Sequence, residues 1–139
     1  MSKLVAVQGC TIEYETDPSS ESLSLLATIS IANSKVSSGN KTAYKDKITI
    51  TVGGGTIVAS STPGGASSST GTVPPGSITI DGTSEKTDSE GDAFVLQEDE
   101  GEADFICIFS QTSGPNPVTK KYTITAKVTD AGQNVLKVT

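Results

Sequence analysis

The segment "KKYTITAKVTD", residues 120–130, carries the clearest periodic pattern of the chain. Its apolar residues alternate with lysine and threonine, at Tyr122, Ile124, Ala126 and Val128. Successive side chains of a β-strand point to opposite faces of a sheet, so a period of two predicts a half-buried strand. We therefore expect residues 120–130 to form a strand with these four side chains turned inward.

Similar short stretches recur along the chain between turn-forming residues. The composition is rich in threonine, serine, glycine, valine and isoleucine, which favours strands punctuated by turns. We expect further strands at residues 3–9, 10–16, 19–34, 48–52, 56–60, 77–81, 92–98, 105–110 and 134–138. The 139 residues thus predict a single all-β domain of about ten short strands, in a compact cone-like or sandwich- or barrel-like module.

Two glycine-rich stretches predict the sharpest breaks between these strands. The triple glycine at 53–55 can supply the positive φ angles of a tight reversal, so residues 56–60 are expected to return as a new strand. Apart from Ala66 and Val73, the stretch near 61–76 is made of glycine, serine, threonine and proline, and it has nothing large to bury. It predicts an exposed, flexible loop.

The expected centre of the core is "FICIF", residues 105–109. These residues are apolar at every position, which predicts a strand that is buried on both faces. The predicted core residues are Ile48, Ile50, Phe94, Phe105, Cys107, Phe109 and Ile124.

Charge and residue types exclude several classes of function. The formal net charge is -6 and all ten positive charges are lysines, so the summed field repels a nucleic acid backbone. The chain has no histidine, arginine or tryptophan. Without a histidine, neither its serines and threonines nor its two thiols have a base to activate them as nucleophiles. The composition therefore predicts a protein that is not an enzyme and does not bind nucleic acid.

Ten of the sixteen acidic residues lie between Asp81 and Asp104. Asp88, Glu90 and Asp92 stand at alternate positions, and such carboxylates could chelate calcium from one loop. The calcium-loop pattern is broken, because the glycine precedes the third acid and Glu98 does not complete a twelve-residue loop. We predict solvated turns and no cofactor, with these three carboxylates as the candidate ligands if a metal binds.

The remaining acids of this region are Glu98, Asp99, Glu100, Glu102 and Asp104. Paired carboxylates can act as a general acid and base when one of them is buried and its pKa rises. These five flank a glycine in an expected turn, where water would solvate them. We therefore do not expect them to be catalytic.

Cys10 and Cys107 lie far apart and lack the close spacing of a zinc site, so we expect two free thiols that pack as small core residues. A disulfide is the alternative, and it would need an oxidising compartment. The apolar run near the N-terminus turns polar at Gln8, too soon for a signal-peptide core or a membrane span. We expect a protein that is cytoplasmic at synthesis and has no membrane-inserting segment of its own.

Five segments carry a resemblance to a known family. They are "VQGCTIEY" at 7–14, "SKVSSGNKTAYKDKITITVGGG" at 34–55, "ITIDGTSEKTDSEGDAFVL" at 78–96, "GPNPV" at 114–118 and "ITAKVTDAGQNVLKV" at 124–138. In these segments the chain resembles the PAAR-like tip proteins of contractile injection machines, which include phage tails, type VI secretion and related extracellular systems. Residues 78–92 are similar to that family's short hairpins, of the form I-x-x-x-G-x-x-A-x-x-x-G-D, but do not have the exact spacing of that form.

The resemblance implies a fold and a function. Family members are small cones of hairpins that cap a trimeric spike, and some hold a metal through histidines and a cysteine near the apex. This chain has no histidine and only Cys10 in a comparable place, so the resemblance does not extend to the metal. The implied protein is a non-enzymatic tip whose partner is a trimeric spike protein and which becomes part of a secreted or virion-associated particle.

Two other functions are compatible with the same sequence. One is a β-sandwich structural subunit of a virion, fibre or pilus-like assembly, which would bind other assembly subunits. The other is a calcium-dependent binding module. Both remain open at this point, because short alternating strands serve a cone and a sandwich equally well.

Overall fold

A computed structural model of the chain describes residues 2–87, 91–110 and 117–138. Within these ranges every regular secondary-structure element is a β-strand. The strands are β1 (Lys3–Leu4), β2 (Thr11–Asp17), β3 (Ser20–Ile29), β4 (Ser37–Ser38), β5 (Lys41–Thr42), β6 (Lys47–Ala59), β7 (Thr70–Val73), β8 (Gly76–Asp81), β9 (Glu100–Phe109), β10 (Val118–Asp130) and β11 (Lys137–Val138). The prediction of an all-β, barrel-like fold is confirmed. Over the described ranges, the chain contains no helix long and apolar enough to cross a membrane.

One antiparallel sheet of seven strands forms most of the molecule. Its strand order is β2-β10-β9-β7-β6-β3, and β8 pairs with β6 beside β7. The long strand β6 pairs with both strands along one edge. Its residues Lys47 to Val52 pair with β8, and its residues Gly55 to Val58 pair with β7. The sheet curls until it forms a nearly closed barrel.

The interior of the barrel is filled by alternate residues of the strands. All four inward residues expected on residues 120–130 (Tyr122, Ile124, Ala126 and Val128) are fully buried. The predicted core residues Ile48, Ile50, Phe105, Cys107, Phe109 and Ile124 belong to the same main cluster, which twenty buried residues form. Phe94 is buried in a second, smaller cluster with Val5, Val7, Ala43 and Leu96.

The triple glycine at 53–55 does not form the predicted reversal. β6 continues through it as one strand of 13 residues, and the opposite strand β3 shifts register between Leu25 and Ala27. This is a β-bulge, at which Gly54 adopts a φ of 111°. A Cβ atom on Gly55 would collide with the backbone carbonyl oxygen of Ser24. The prediction was wrong because these glycines bend a continuous strand and let the backbone of β3 come close to it. A bend and a close backbone approach require residues without side chains, as a tight reversal does.

The strand "FICIF" is buried on one face only. Phe105, Cys107 and Phe109 point into the barrel, whereas Ile106 and Ile108 are 50% and 43% exposed on the outside. The prediction of burial on both faces was wrong because a single sheet curls around its own core. No described strand covers the outer face of β9.

The loop expected near 61–76 is shorter than predicted. Residues 70–73 form β7, which lies between β6 and β9, and β8 already begins at Gly76. Within the remaining loop Pro63 is buried and Ala66 packs against the main cluster. The prediction failed because "TGTV" is too short to show periodicity, and partners distant in sequence decide its structure.

Other predicted strands are also shorter in the structure. The strand expected over 19–34 ends at Ile29, and Ile31 is 82% exposed. Of the strands expected at 3–9 and 134–138, only Lys3–Leu4 and Lys137–Val138 remain, and they pair with each other. The expected strand at 92–98 makes isolated bridges instead of a regular ladder.

Candidate functional site

The structure does not assemble the candidate calcium ligands into a metal site that can be described. Asp88 and Glu90 lie outside the described residues. The carboxylate of Asp92 faces the Lys45 ammonium at 3.4 Å, and the Lys45 side chain is only 11% exposed. Across residues 2–87, 91–110 and 117–138, no group of three or more histidine, cysteine or acidic side chains could hold a metal ion.

The acids after residue 97 are separated by the fold. The Glu98 carboxylate lies 3.6 Å from the Lys3 ammonium at the surface. Asp99 is buried and accepts hydrogen bonds from the Thr83 hydroxyl (2.6 Å) and from the Leu96 amide (2.8 Å), so it fixes the turn before β9. The others, Glu100, Glu102 and Asp104, point outward from β9. The five acids thus act as a structural anchor and as surface charges, and no two of them are buried together.

Both cysteines are buried and unbridged. Burial raises the pKa of the Cys10 thiol to about 11, with a smaller raising contribution from the Asp130 carboxylate and an opposing backbone hydrogen bond. Burial also raises the pKa of the Cys107 thiol. Both sulfurs are therefore neutral thiols near pH 7, which is the state of a core residue and not of a nucleophile or metal ligand.

Three short segments, residues 5–7, 43–45 and 94–96, are joined by a closed ring of backbone hydrogen bonds. The Ala6 amide donates to the Val95 carbonyl (2.8 Å) and the Val95 amide donates to the Tyr44 carbonyl (3.1 Å). The Tyr44 amide closes the ring by donating to the Ala6 carbonyl (2.9 Å). Each segment donates to one neighbour and accepts from the other, so the three are equivalent in their bonding.

A second set of contacts repeats this threefold pattern around the ring. Amides two residues further along donate in the opposite sense, from Gln8 to Thr42 (2.8 Å), from Asp46 to Ala93 (2.7 Å) and from Gln97 to Leu4 (2.8 Å). Together the six hydrogen bonds form three antiparallel bridges, Val5 with Leu96, Val7 with Ala43, and Lys45 with Phe94. Six hydrogen bonds in two sets of three give this end of the molecule an approximate threefold symmetry. We call these three segments the threefold ring.

The threefold symmetry extends from the ring to the strands on either side of it. The ring segments lead into β2, β6 and β9 in turn. Before each one stands a short antiparallel contact, which is β1 with β11, β4 with β5, and the bridge between Thr87 and Ala93. The barrel therefore contains three units, of which β10 with β2 and β3 with β6 are paired by ladders, whereas β8 and β9 are spatial neighbours without a ladder between them.

The threefold ring separates the two hydrophobic clusters. Its central residues Ala6, Tyr44 and Val95 belong to the main cluster inside the barrel. The residues beside them, Val5, Val7, Ala43, Phe94 and Leu96, form the second cluster on the other side. The ring is thus a closed layer with apolar packing on both faces, in which the backbone groups of the three central residues pair with one another.

A second feature is the seam between β2 and β3. These strands are the two ends of the strand order, and they do not pair with each other. Side-chain hydrogen bonds frame the seam at its ends, from the Ala32 amide to the Gln8 Oε1 (2.7 Å) and between the hydroxyls of Thr16 and Ser20 (2.8 Å). At the Thr16–Ser20 end of the seam is a groove of about 410 Å³ lined by Tyr14, Glu15, Thr16, Ser19, Ser20, Glu21, Ser22 and Leu23.

No protein-family model, curated protein or solved structure matches this chain. Function is therefore inferred from the threefold ring, the seam and the surface charges.

Sequence reasoning missed both of these features. The ring segments read "VAV", "AYK" and "FVL". No two of them have the same residue at an equivalent position. Three residues are also too few for a repeat to be recognised. The seam carried one signal in the sequence, because all four charged residues of β2 and β3 are acidic.

Proposed function

We propose that this protein is a non-enzymatic structural component that caps the end of a trimeric β-structured spike in a contractile injection apparatus. The observation that carries the proposal is the threefold ring. A single chain that repeats one geometry three times about an axis can meet three identical subunits through three similar contacts. A chain without such symmetry would meet each subunit differently.

The construction of the ring end suits a mechanical role. The backbone amides and carbonyls of the central residues Ala6, Tyr44 and Val95 bond within the ring, and side chains pack on both of its faces. Closely packed interiors have low compressibility and transmit force. A cap that is pushed against a barrier needs these properties.

The same proposal accounts for the chemistry of the described side chains. Its thiols are buried and neutral, and Asp99 serves a buried turn. The outward acids on β2 and β9 outnumber the lysines of β10, which lies between these strands, and they leave this wall of the barrel with a net negative charge. Such a wall keeps a small protein soluble and suppresses association with nucleic acid.

The copy number in the native assembly tests this proposal. The full-length protein carrying an affinity tag is expressed with the rest of its assembly genes, and the intact particle is purified and dissociated for native mass spectrometry. We expect a subcomplex with one copy of this chain to three copies of a spike protein. A ratio of one to one, or many copies along a tube or shell, would refute the cap.

Two surface variants locate the contact once that complex is in hand. Thr62→Arg places a bulky cation on the connection between β6 and β7, and Asn134→Arg places it beside the ring end. Both positions are exposed, so both variants should fold. We expect one of the two to release the spike while the other leaves it bound, since a cap has only one docked end.

A second candidate is a repeated structural subunit of a virion or fibre. The open seam favours it, because unpaired edges allow one copy to pair with the next. The same mass measurement separates the two candidates, since a repeated subunit is present in many copies per particle.

A further inference from the structure

One edge of β2 has no strand partner in the described part of the chain. On its other edge β2 pairs with β10 from Ile12 to Asp17. The exposed edge faces the seam, where β3 lies across the groove without pairing. An unpaired edge offers a row of backbone amides and carbonyls to any extended chain that can reach it.

The edge of β2 has few of the devices that normally protect such edges. Its register with β10 is continuous from Ile12 to Asp17, and the single irregularity lies beyond this stretch, between Val128 and Asp130. No proline or glycine interrupts "TIEYETD". By contrast, β3 shifts register twice against β6, which distorts its free edge. The regular edge of the seam is therefore that of β2.

Charge explains why the seam stays open. On β2 the outward side chains are Glu13, Glu15 and Asp17, and across the groove β3 contributes Glu21. Like charges on neighbouring strands oppose pairing. On the paired edge of β2 the opposite occurs, since Lys127 of β10 stands across from Glu13.

The threefold arrangement shows what the seam lacks. Neighbouring units are joined by strand pairing at two of the three junctions, β6 with β8 and β9 with β10. The third junction is the one between β2 and β3, where the ladder is missing. An added strand at this position would complete the wall of the barrel.

From these observations we propose that the free edge of β2 binds an extended segment of a partner protein that carries lysine or arginine at alternate positions. Its cations would lie beside Glu13 and Glu15 on the outer face, and its small apolar residues beside Ile12 and Tyr14, which are half-buried against the main cluster. Backbone pairing supplies the binding and the alternating side chains supply the specificity. The inference rests on the proposed function, because it names a segment by which an assembly partner is held.

A synthetic peptide tests the edge directly. The probe is residues 118–130 of this chain with the substitution Thr125→Lys, "VTKKYTIKAKVTD", which has lysines two residues apart at the positions that stand across from Glu15 and Glu13 on the paired edge of β2. The control is the same peptide with glutamate in place of lysine at the two positions that correspond to residues 125 and 127. Binding to the full-length protein is measured by calorimetry, and hydrogen exchange maps the amides that become protected.

We expect the lysine peptide to bind with protection of amides in β2, and the glutamate peptide to bind at least about tenfold more weakly. The variant Glu13→Lys/Glu15→Lys should weaken the lysine peptide by about tenfold and strengthen the glutamate peptide. Glu102→Lys is the matched control, because it reverses an outward charge on β9, a strand that is separated from β2 by β10. It should change binding by less than about threefold.

Three results would overturn the inference. They are no binding of the lysine peptide at millimolar concentration, equal binding of both peptides, and protection that maps away from β2. A concentration-dependent dimer that Glu13→Lys/Glu15→Lys abolishes would instead assign the edge to a second copy. The copy number in the native particle is measured independently, so a failed peptide experiment leaves the cap standing, and a refuted cap leaves the peptide result standing.

Discussion

Two tyrosines in the main cluster differ in what their hydroxyl groups contact. The Tyr44 hydroxyl donates to the Ser30 carbonyl at 2.7 Å, between the ring and the end of β3. The Tyr122 hydroxyl is buried, and none of the described residues offers it a hydrogen-bond partner. A buried polar group without a partner costs about 1–3 kcal/mol, whereas a satisfied one contributes about 1 kcal/mol.

Replacing these tyrosines by phenylalanine should therefore have opposite effects on the free energy of unfolding. We expect Tyr44→Phe to lower it by about 1 kcal/mol, because a buried bond is lost. Tyr122→Phe should leave it unchanged or raise it by up to about 2 kcal/mol, because a desolvated hydroxyl is removed. Urea titration of the three proteins measures both changes. Equal losses in the two variants would show that Tyr122 has a partner, such as a buried water.

The buried thiols predict a dependence on pH. Because burial raises the pKa of Cys10 from 9.0 to about 11, the unfolded chain loses this proton at lower pH than the folded chain. The contribution of the protonated Cys10 thiol to the free energy of unfolding is fully present below pH 9 and is lost as the pH rises from about 9 to 11. We expect the melting temperature to fall over this interval, and to fall less steeply in Cys10→Ala.

In the native protein at pH 8 both thiols should react slowly with a disulfide reagent, and in urea they should react fully; rapid labelling of either native thiol would contradict their burial.

At the scale of the element, β9 shows how far alternation alone can be trusted. The run from Phe105 to Phe109 is apolar throughout, so hydropathy cannot tell which residues face the core. The barrel decides it, because its curvature puts one face inside and leaves the other in water. On β10, where lysine and threonine mark the outer face, the sequence assigned every inward residue correctly.

Neighbouring residues of β9 provide a matched test of this assignment. Phe105 is 3% exposed and its ring packs against Gly76, whereas Ile106 is 50% exposed. We expect Phe105→Ala to lower the free energy of unfolding by about 3–5 kcal/mol. Ile106→Ala should lower it by less than about 1 kcal/mol, because little burial is lost. Similar losses from the two variants would show that the outer face of β9 is also covered.

The glycines of β6 mark another limit of local reasoning. A triple glycine predicts a reversal when only its own conformational freedom is considered. In the structure the backbone carbonyls of Val73 and Ser24, from the two flanking strands, lie where side chains of residues 54 and 55 would be, so both positions require glycine. Such neighbours come from distant parts of the chain, so no local pattern announces them.

At the scale of the whole molecule, the fold class could be predicted and the arrangement could not. Strand periodicity and turn residues are properties of ten-residue windows, and they indicated an all-β protein correctly. The threefold ring joins residues 5–7, 43–45 and 94–96 through backbone atoms, which every residue type possesses. Its hydrogen bonds therefore leave almost no trace in the residue types of the three segments, and the candidate site emerges only from the three-dimensional structure.

The ring also couples the two hydrophobic clusters, and this predicts how the molecule unfolds. Alternate ring residues pack into opposite clusters, Val95 into the main one and Phe94 and Leu96 into the second. Neither cluster can lose its packing without disturbing the same three segments. We therefore expect a single cooperative transition, in which tyrosine fluorescence and far-ultraviolet circular dichroism change together.

The variant Phe94→Ala tests this coupling. Phe94 lies in the second cluster, whereas Tyr44 and Tyr122 report on the main cluster. We expect the variant to lower the free energy of unfolding by about 3–5 kcal/mol, and by the same amount with either probe, because the clusters unfold as one unit. Val135→Ala, at a position that is 79% exposed, is the control and should change it by less than about 0.5 kcal/mol. An early transition that leaves tyrosine fluorescence unchanged would mean that the ring end melts on its own, and a ring that melts alone could not serve as the rigid end of a cap.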